Sequence, residues 1–276
     1  MQSILQLPSE AKVRSQLRRI LFPEGLRCPD PACGSTVVNP VKGEGRYYCC
    51  WCKKRFSLTS VHPLLRHMRI SLRQFYLLLW CWQKKFSPGH AREVSGLSHV
   101  TVTRWYDRCR LYLPNLEDYS PLCGIVEGDE SQFGHTYHAT DQWVAGAVER
   151  HNHRNVRLQP IEARDSGNLD RFILENVKPD SLLVTDGYSA YYGMENFHGL
   201  AHEIGNHSKG NFGPTAMAEN IWSRCDRFLI RVYHQVRKAR LPQILKELQA
   251  RFSKPELFEN PNNYLRFALC AVPLSC

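Results

Sequence analysis

Two patterns of hydrophobic and polar positions follow one another along the chain. Between residues 61 and 112 the apolar side chains Leu72, Phe75 and Leu79 recur at helical spacing, and this period predicts a helix with one face in a core. From residue 123 onwards, short apolar runs alternate with helical segments. The order predicts a helical region followed by an α/β domain.

From residue 123 onwards, the sequence predicts strands and helices in a definite order. Three apolar runs within residues 123–163 predict an antiparallel meander, and a helix is predicted over residues 166–177. Apolar runs at residues 181–192 and 200–206 predict two more strands, and a long helix is expected over residues 215–236. This order is that of a ribonuclease H-like α/β fold with a mixed sheet.

A helix-turn-helix is predicted upstream of this domain. The segment from His90 to Arg110 contains a short helix, a turn at Gly96 and a second helix that begins near Ser98. Such a pair presents the start of its second helix to the major groove of DNA, although plain helical bundles use the same connection. The residues expected to contact DNA are Ser98, His99, Thr101, Thr103, Arg104 and Arg108, with Arg110 as a further candidate.

Two cysteine pairs precede the helical segment. Cys28 and Cys33 form one pair, Cys49 and Cys52 form the other, and fifteen residues separate the pairs. Two thiolate pairs on short turns, joined by β-prone sequence, suit tetrahedral Zn²⁺ in a zinc ribbon, whereas the alternative is a set of buried free thiols. Cys50 can replace Cys49, but Cys49 keeps the better spacing. We therefore expect a structural zinc ion bound by four cysteines.

Charge divides the chain near the same point as the hydrophobic pattern. The net charge is +10 overall, and residues 1–112 carry 19 lysines and arginines against six acids, a net +13. The remaining residues carry a net charge of −3. A basic region joined to a mildly acidic domain suggests that the basic part binds phosphate groups, although an ordinary solvated basic surface has the same composition.

The expected location is the cytoplasm, in association with the nucleoid. No apolar run is long enough to span a membrane. The first twenty residues predict an amphipathic helix and not an exported leader. In that compartment the eleven cysteines are expected to be metal ligands or buried thiols and not disulfides.

Three acids stand at the ends of predicted elements in the second part. Asp129 closes the first strand of the domain, Asp186 closes the fourth, and Glu219 lies in the first turn of the long helix. Adjacent strands would bring both aspartates to one edge of the sheet, and the helix can return Glu219 to that edge. Carboxylate oxygens from separate segments suit Mg²⁺ or Mn²⁺, and a pair of such ions serves phosphodiester chemistry.

Each acid also has a structural interpretation. Asp186 precedes Gly187, and Asp-Gly marks turns. Glu219 suits the positive end of a helix dipole, and Asp129 with Glu130 can form a solvated strand end. Strand alternation places Asp129 and Glu130 on opposite faces, so that only one of them is expected to point into a site. We take Asp129 as that residue and expect Glu130 to support the site or the strand.

Several motifs in a fixed order carry a resemblance to a known family. They are the cysteine segment that ends in YYCCWCKKRFSL, then VEGDES, VTDGYSAYY, GNHSKG and AENIWSRCDRF, and they cover most of residues 20–236. With these motifs the chain resembles bacterial insertion-sequence transposases of the IS1595 group, which carry an ISXO2-like DDE domain. Asp186 and Glu219 are 33 residues apart, close to the spacing of the second and third acids in such enzymes.

The resemblance implies a mechanism and its participants. Asp129, Asp186 and Glu219 would be the metal-binding triad for Mg²⁺ or Mn²⁺. His207, in the loop before the last helix of the motif, would lie near the site or be an ordinary loop residue. The basic region would hold the terminal inverted repeats of the element on double-stranded DNA, and the enzyme would cut their 3′ ends and join them to target DNA. Because two ends are handled together, a homodimer or a larger assembly is implied.

One position departs from the family pattern. Many relatives have a lysine seven residues after the third acid, on the face of the helix that meets DNA, and this chain has Asp226 there. An acid repels phosphate, so Arg227 or Arg231 is expected to take the place of that lysine. An alternative is a catalytically inactive DNA-binding repressor or a decayed transposase copy. A structure-specific metal nuclease, which would use the same acids, is a further alternative.

The sequence as a whole predicts four regions. They are an N-terminal helix (1–22), a zinc ribbon (23–60), a helix-turn-helix DNA-binding region (61–115) and a ribonuclease H-like DDE catalytic domain with C-terminal helices (116–276). The function that the resemblance implies for a chain of this organisation is a DNA transposase that binds the ends of its insertion element and catalyses metal-dependent cleavage and strand transfer.

Overall fold

The chain folds into two compact units. One consists of Met1–Tyr112 with Glu256–Cys276, and the other of Leu113–Pro255. The predicted boundary at residue 115 falls close to the first division, whereas the residues from 256 onwards group with the first unit and not with the predicted catalytic domain. The computed structural model describes residues 7–133, 142–152, 155–194, 196, 199–205, 215–234 and 236–270.

The principal helices and strands lie close to their predicted positions. In chain order, the helices are α1 (Glu10–Leu21), α2 (Leu72–Gln83), α3 (Pro88–Ser95), α4 (His99–Leu111), α5 (Ser166–Asn176), α6 (Ala216–Val232), α7 (Leu241–Ser253) and α8 (Pro261–Cys270). The strands are β1 (Val38–Val41), β2 (Arg46–Cys49), β3 (Arg55–Phe56), β4 (Ile125–Phe133), β5 (Gln142–Glu149), β6 (Val156–Ile161), β7 (Leu182–Thr185) and β8 (Ala201–Ile204). None of the described helices combines the length and apolar character that crossing a membrane requires.

The first unit contains a small sheet and the predicted pair of helices. β1 pairs with β2 and β2 with β3, all antiparallel. Helix α3 ends at Gly96, which adopts the left-handed conformation with φ of 69°. The Ser98 hydroxyl then accepts the Thr101 N–H at 3.2 Å and caps α4. The turn and the start of the second helix lie where the sequence predicts them, so the helix-turn-helix is confirmed as a local fold.

The C-terminal residues complete the core of the first unit. The Tyr264 hydroxyl of α8 donates to the Cys109 carbonyl of α4 at 2.9 Å. The Trp82 ring packs against the rings of Tyr264 and Phe258, at centroid distances of 5.3 and 5.2 Å. The Gln83 side chain donates to the carbonyl of Leu257 at 2.7 Å. These contacts explain why α8 belongs with a helix that lies 155 residues earlier.

A five-stranded mixed sheet forms the centre of the second unit. Its strand order is β6-β5-β4-β7-β8. β4 and β6 both run antiparallel to β5, whereas β7 is parallel to β4 and β8 is parallel to β7. A parallel neighbour requires a crossover connection, which the segment through β5, β6 and α5 provides between β4 and β7. This arrangement confirms the predicted ribonuclease H-like order.

Apolar side chains cover both faces of this sheet. On one face Phe172 and Ile173 of α5 pack in a cluster with Val126 of β4. On the other face Trp222 of α6 packs in a cluster with Val144 of β5. Because side chains alternate along a strand, successive residues of β4 meet different helices.

Strand β4 extends beyond its parallel neighbour. β4 pairs with β5 as far as Phe133, but it pairs with β7 only from Ile125 to Glu127. In the described part of the sheet, the later residues of β4 therefore have an open edge on the β7 side. β7 ends at Thr185, and the next residue, Asp186, lies beside this open edge.

Candidate active site

Three carboxylates meet at the open edge of β4. One carboxylate oxygen from each of Asp129, Glu130 and Asp186 lies within 4.8 Å of the other two. Asp129 and Glu130 belong to β4, and Asp186 follows the last residue of β7. The sheet topology thus brings together the two aspartates that the sequence predicts as metal ligands.

Asp129 and Glu130 reach this cluster from opposite faces of β4. Asp129 contacts Trp222 of α6, and Glu130 contacts Tyr191, which belongs to the apolar cluster on the α5 face. Successive side chains of β4 therefore alternate between the two faces of the sheet, as predicted. Because no strand covers this edge within the described residues, the two carboxylates still approach each other. The expectation that only one of the pair points into the site is wrong for this reason.

Asp129 is held by two hydrogen-bond donors in surroundings that disfavour its charge. The Trp222 indole N–H donates to Oδ2 at 3.0 Å, and the Glu130 backbone N–H donates to Oδ1 at 2.9 Å. Burial, followed by the negative charge of Glu130, raises the pKa of Asp129 to about 7. A nearby cation favours the charged form of a carboxyl group, so these surroundings suit the binding of a cation.

Glu130 is buried and engaged on both oxygens. Its Oε1 accepts a hydrogen bond from Nε of Arg164, and its Oε2 accepts one from the hydroxyl of Tyr191. Burial, and then the charge of Glu130, raises the pKa of Tyr191 well above its usual value, so this phenol keeps its proton and remains a donor. The contacts fit the supporting role that the sequence predicts for Glu130.

Arg164 brings a positive charge to the carboxylates. Its Nη2 lies 3.8 Å from Oδ2 of Asp186. Its guanidinium carbon lies 3.7 Å from the ring centroid of Tyr188 and 5.6 Å from that of Trp143, which are distances for cation–π attraction. Arg164 therefore partly neutralises the cluster while aromatic rings fix its own position.

A backbone turn orients Asp186. Its Oδ1 accepts the N–H of Tyr188 at 3.0 Å, which is the hydrogen bond of an Asx turn. The Tyr188 hydroxyl in turn donates to the Arg164 carbonyl at 2.8 Å. Asp186 is thus both a turn residue and a member of the cluster, because one oxygen holds the turn and the other faces Arg164.

Glu219 occupies the first turn of α6, as predicted, and its side chain is exposed. It is not one of the carboxylates that lie within 4.8 Å of one another. Trp222, one helical turn further along, reaches Asp129, so the same end of α6 that carries Glu219 is packed beside the cluster. The structure therefore groups two of the three predicted acids and leaves the third on the adjoining helix.

Close packing against β5 holds Trp222 beside Asp129. Gly146 of β5 is the register partner of Asp129. A Cβ atom at this position would lie 2.5 Å from Cζ2 and 2.6 Å from Cη2 of Trp222. Glycine is required here because the indole lies directly against the backbone of the strand.

Gly146→Ala is expected to destabilise the second unit by about 1–3 kcal/mol, because the added methyl group overpacks the contact with Trp222. Unfolding in urea measures the loss. Gly167→Ala is the matched control, since a Cβ there meets nothing closer than 3.6 Å and alanine is favoured over glycine in a helix. Equal stability of the two variants would contradict the packing of Trp222 described above.

Four thiols form a separate cluster in the first unit. The Sγ atoms of Cys28, Cys33, Cys49 and Cys52 lie within 4.8 Å of one another. The sulfur atoms of Cys28 and Cys52, and those of Cys33 and Cys49, are 3.6 Å apart. A tetrahedral zinc ion with Zn–S bonds of about 2.3 Å separates its sulfur ligands by about 3.8 Å. The four predicted ligands therefore fit a zinc ion, and Cys50 is not part of the group.

The predicted DNA-contacting residues at the start of α4 reach the surface to different extents. Ser98, His99 and Arg104 are exposed, whereas Thr101 and Thr103 are half-buried. The Ser98 hydroxyl is already engaged in capping the helix.

The two later arginines of α4 are used inside the fold. The guanidinium of Arg108 donates to the carbonyls of Pro63 and Arg66. Arg110 is 1% exposed and lies 2.7 Å from Asp107 in an ion pair. The expectation that Arg110 reaches DNA is wrong because its side chain is enclosed, and Arg108 has a structural use that competes with any contact to DNA.

The basic residues expected on the last helix of the motif lie on its surface. Arg227 and Arg231 are exposed on α6, as is Asp226. The Nε of Arg227 donates to the carbonyl of Ser223 one turn earlier, at 3.1 Å. His207, the other residue predicted near the site, lies outside the residues that the structure describes.

Sequence reasoning missed three residues that organise the site: Glu127, Arg164 and Tyr191. Glu127 had a signal, because it is an acid inside an apolar strand on the same face as Asp129. Tyr191 lies within the motif VTDGYSAYY, whereas Arg164 had no signal, since only the folded sheet brings these two residues to Glu130.

Comparison with known proteins gives one family match. Residues 121–253 match the family model of the ISXO2-like transposase domain, and the cysteine cluster lies outside the matched range. No curated protein gives a significant sequence match.

Matches among solved structures have low sequence identity to this chain. The chain is similar to a chain of the simian T-cell lymphotropic virus intasome in complex with PP2A regulatory subunit B56 gamma, with 11% identity, a TM-score of 0.34 and coverage of 60% of this chain and 68% of that chain. It is also similar to the HTLV-2 integrase catalytic core domain in complex with magnesium, in dimeric and trimeric forms. Both have 10% identity, a TM-score of 0.32 and coverage of 48% of this chain and 85% of that chain.

Proposed function

We propose that the protein is a DNA transposase, because residues 121–253 match the family model of the ISXO2-like transposase domain. It binds the ends of its own insertion element and hydrolyses a phosphodiester bond to free each 3′ hydroxyl group. The freed hydroxyl then attacks a phosphodiester of target DNA, and the target strand leaves with its own 3′ hydroxyl. No covalent bond between protein and DNA is formed in either step.

The observation that carries this proposal is the cluster at the ends of β4 and β7. Asp129 and Asp186 come from separate chain segments, yet their carboxylates lie within 4.8 Å of each other and of Glu130. A structural explanation for one acid does not account for the crowding of three. Repulsion among the three carboxylates costs stability that Arg164 offsets only in part and that a bound metal ion would relieve further. A cost of this kind is typical of a functional site.

The cluster fits a divalent cation with a preference for oxygen ligands. Asp129 and Asp186 would hold Mg²⁺ or Mn²⁺, and Glu219 would supply a further ligand from α6. When bound, such ions activate the attacking hydroxyl group and stabilise the leaving oxygen. Each aspartate is oriented by a hydrogen bond to one of its oxygens. The Trp222 indole N–H donates to Asp129, and the Tyr188 backbone N–H donates to Asp186.

The DNA-binding surface of the proposal is the start of α4. Its members are Ser98, His99, Thr101, Thr103 and Arg104, while Arg227 and Arg231 of α6 would hold DNA near the cleavage site. Exposure supports the assignment of Ser98, His99 and Arg104 on α4 and of the two arginines on α6, and the arginines also carry the positive charge that attracts phosphate. Thr101 and Thr103 are half-buried and are proposed from their place at the start of α4 alone. Zinc bound by the four clustered cysteines would stabilise the small sheet that precedes α2.

The assembly follows from the proposed reaction. Two element ends have to be cut and joined in a concerted way, so a homodimer or a larger complex would form on double-stranded DNA. Its place of action would be the cytoplasm, on the nucleoid.

A cleavage and joining assay tests the proposed function. The purified chain is mixed with labelled double-stranded fragments from either side of its own reading frame, with a supercoiled target plasmid and with Mg²⁺ or Mn²⁺. We expect nicks at the 3′ ends of the element and labelled joined product. Binding of the fragments without cleavage would instead identify a repressor, and cleavage of branched DNA without joined product would identify a nuclease.

The alternative of an inactive DNA-binding protein has one observation in its favour. Asp226 occupies the position seven residues after Glu219 and is exposed on α6, where its charge repels a DNA phosphate. Substitution of Asp226 by lysine separates the two functions. It would increase cleavage by a working transposase and leave a repressor without any cleavage.

Arg104→Ala is expected to weaken binding of the element ends about three- to tenfold and to lower the slope of log affinity against log salt by about one, because it removes one phosphate contact. Fluorescence anisotropy over a range of salt concentrations measures both quantities. Arg171→Ala is the control, because Arg171 is equally exposed but lies on α5 of the acidic unit. An unchanged salt slope for Arg104→Ala would remove this residue from the DNA-binding surface.

A further inference from the structure

Glu127 is a buried acid next to the candidate site. It lies two residues before Asp129 on the same face of β4, and it is 1% exposed. A carboxylate at this depth is costly unless its charge and its oxygens are satisfied. The hydrogen-bond and ion-pair partners of Glu127 therefore indicate its structural role.

Both oxygens of Glu127 are satisfied by groups from other elements. Oε2 accepts the backbone N–H of Met217 at 2.8 Å and that of Ala218 at 3.2 Å. Oε1 accepts a hydrogen bond from Nε of Arg150 at 2.9 Å, which is also an ion pair. Two of these three donors are main-chain groups in the first turn of α6.

Helix α6 depends on Glu127 for a cap. The first N–H groups of a helix have no partner within the helix, and a side chain just before the helix usually accepts them. Thr215 precedes α6, but its side chain makes no capping hydrogen bond. Glu127 accepts these N–H groups from a strand 90 residues earlier, and its negative charge also suits the positive end of the helix dipole.

The two amides that Glu127 caps lie directly before Glu219, the predicted third acid. Ala218 precedes Glu219, and Trp222 follows it by three residues and donates to Asp129 at 3.0 Å. β4 therefore binds α6 at two points, through Glu127 before Glu219 and through Asp129 after it. Movement of the first turn would shift the Glu219 carboxylate relative to Asp129.

We propose that Glu127 is a positioning residue of the active site: it caps α6 from β4 and thereby holds Glu219 in the place from which it binds the catalytic ion. The inference rests on the proposed function of the chain. Glu127 is enclosed and acts through α6, and Arg150 orients its carboxylate through the ion pair at 2.9 Å.

Two substitutions separate the cap from the charge. Glu127→Ala removes both acceptors, whereas Glu127→Gln keeps one carbonyl acceptor for the helix amides and loses the charge. Glu149→Ala is the matched control, because Glu149 is also a buried acid in the same sheet and accepts a backbone N–H, that of Cys123, at 2.9 Å. Glu219→Gln serves as the reference for loss of the ligand without loss of the cap.

The first measurement needs neither metal nor DNA. Hydrogen exchange of the full chain is followed for the amides of Met217 and Ala218, whose acceptor is Glu127. We expect both amides to exchange about tenfold faster in Glu127→Ala and at the original rate in Glu149→Ala and Glu219→Gln. Unchanged exchange in Glu127→Ala would overturn the capping role.

The second measurement separates a positioning role from a purely structural one. Binding of Mn²⁺, followed by loss of the free-ion resonance signal, is expected to weaken by about 10–100-fold in Glu127→Ala, to recover partly in Glu127→Gln and to stay normal in Glu149→Ala. Faster amide exchange with unchanged Mn²⁺ binding would show a helix cap without a part in the site and would overturn the proposal. If the wild-type chain binds Mn²⁺ but cuts no DNA, the transposase function fails while both measurements still decide the role of Glu127.

Discussion

Asp186→Asn is expected to abolish cleavage of the element ends and to leave their binding unchanged. The substitution keeps the size of the side chain and the Asx turn to the N–H of Tyr188, but it removes one negative charge from the carboxylate cluster. A loss of about 4 kcal/mol of transition-state stabilisation corresponds to a rate lower by about 10³-fold. The cleavage assay with Mg²⁺ measures the rate, and anisotropy with the same labelled fragment measures binding.

Asp180→Asn is the matched control for this experiment. It makes the same chemical change six residues earlier in the chain, at an exposed position outside the carboxylate cluster, and normal cleavage is expected. A rate for Asp186→Asn within about threefold of the wild type would remove Asp186 from the catalytic machinery. Weakened binding of the fragment by Asp186→Asn alone would point instead to a role in holding DNA.

Cys49→Ser is expected to release zinc from the first unit and to unfold its small sheet. Structural zinc sites of four cysteines contribute about 10–16 kcal/mol of apparent binding free energy at neutral pH, and β1, β2 and β3 are too short to form a stable sheet without help. Metal content per chain is expected to fall from one zinc ion to none. The melting temperature of the first unit and the affinity for DNA are expected to fall with it.

Cys50→Ser separates the metal site from other effects of removing a thiol. Cys50 is the neighbour of Cys49, but its sulfur accepts a hydrogen bond from Asn39 at 3.3 Å and lies outside the group of four. Full zinc content and normal melting are expected for this variant. Zinc retained by Cys49→Ser and lost by Cys50→Ser would mean that the ligand set has been assigned to the wrong cysteine.

The sequence is sufficient for those parts of the fold that depend on local pattern. Apolar period and turn residues predict all five strands of the mixed sheet and its two flanking helices, and the cysteine spacing predicts which four thiols meet. The ends of elements are also local, so Gly96 and Ser98 mark the helix-turn-helix correctly. The helices, strands and turns depend on residues within a few positions of one another, and each cysteine pair lies within one short stretch of sequence.

The sequence is not sufficient where distant segments decide the outcome. The convergence of Asp129 and Glu130 depends on β7 ending early, which leaves an edge of β4 open. Arg164, which follows β6, contacts Glu130 of β4 across a separation of 34 residues. The burial of Arg110 and the grouping of α8 with the first unit likewise follow from contacts that no local pattern records.

The discontinuous first unit has a consequence for synthesis of the protein. A ribosome completes Leu113–Pro255 before it releases α8, so the second unit can fold while the first still lacks Tyr264 and its contact with Cys109. The first unit, which carries the proposed DNA-binding surface at the start of α4, would then complete its core after the second unit has already formed. A chain terminated early, before α8, would retain the carboxylate cluster while the core of its first unit stays open to proteolysis.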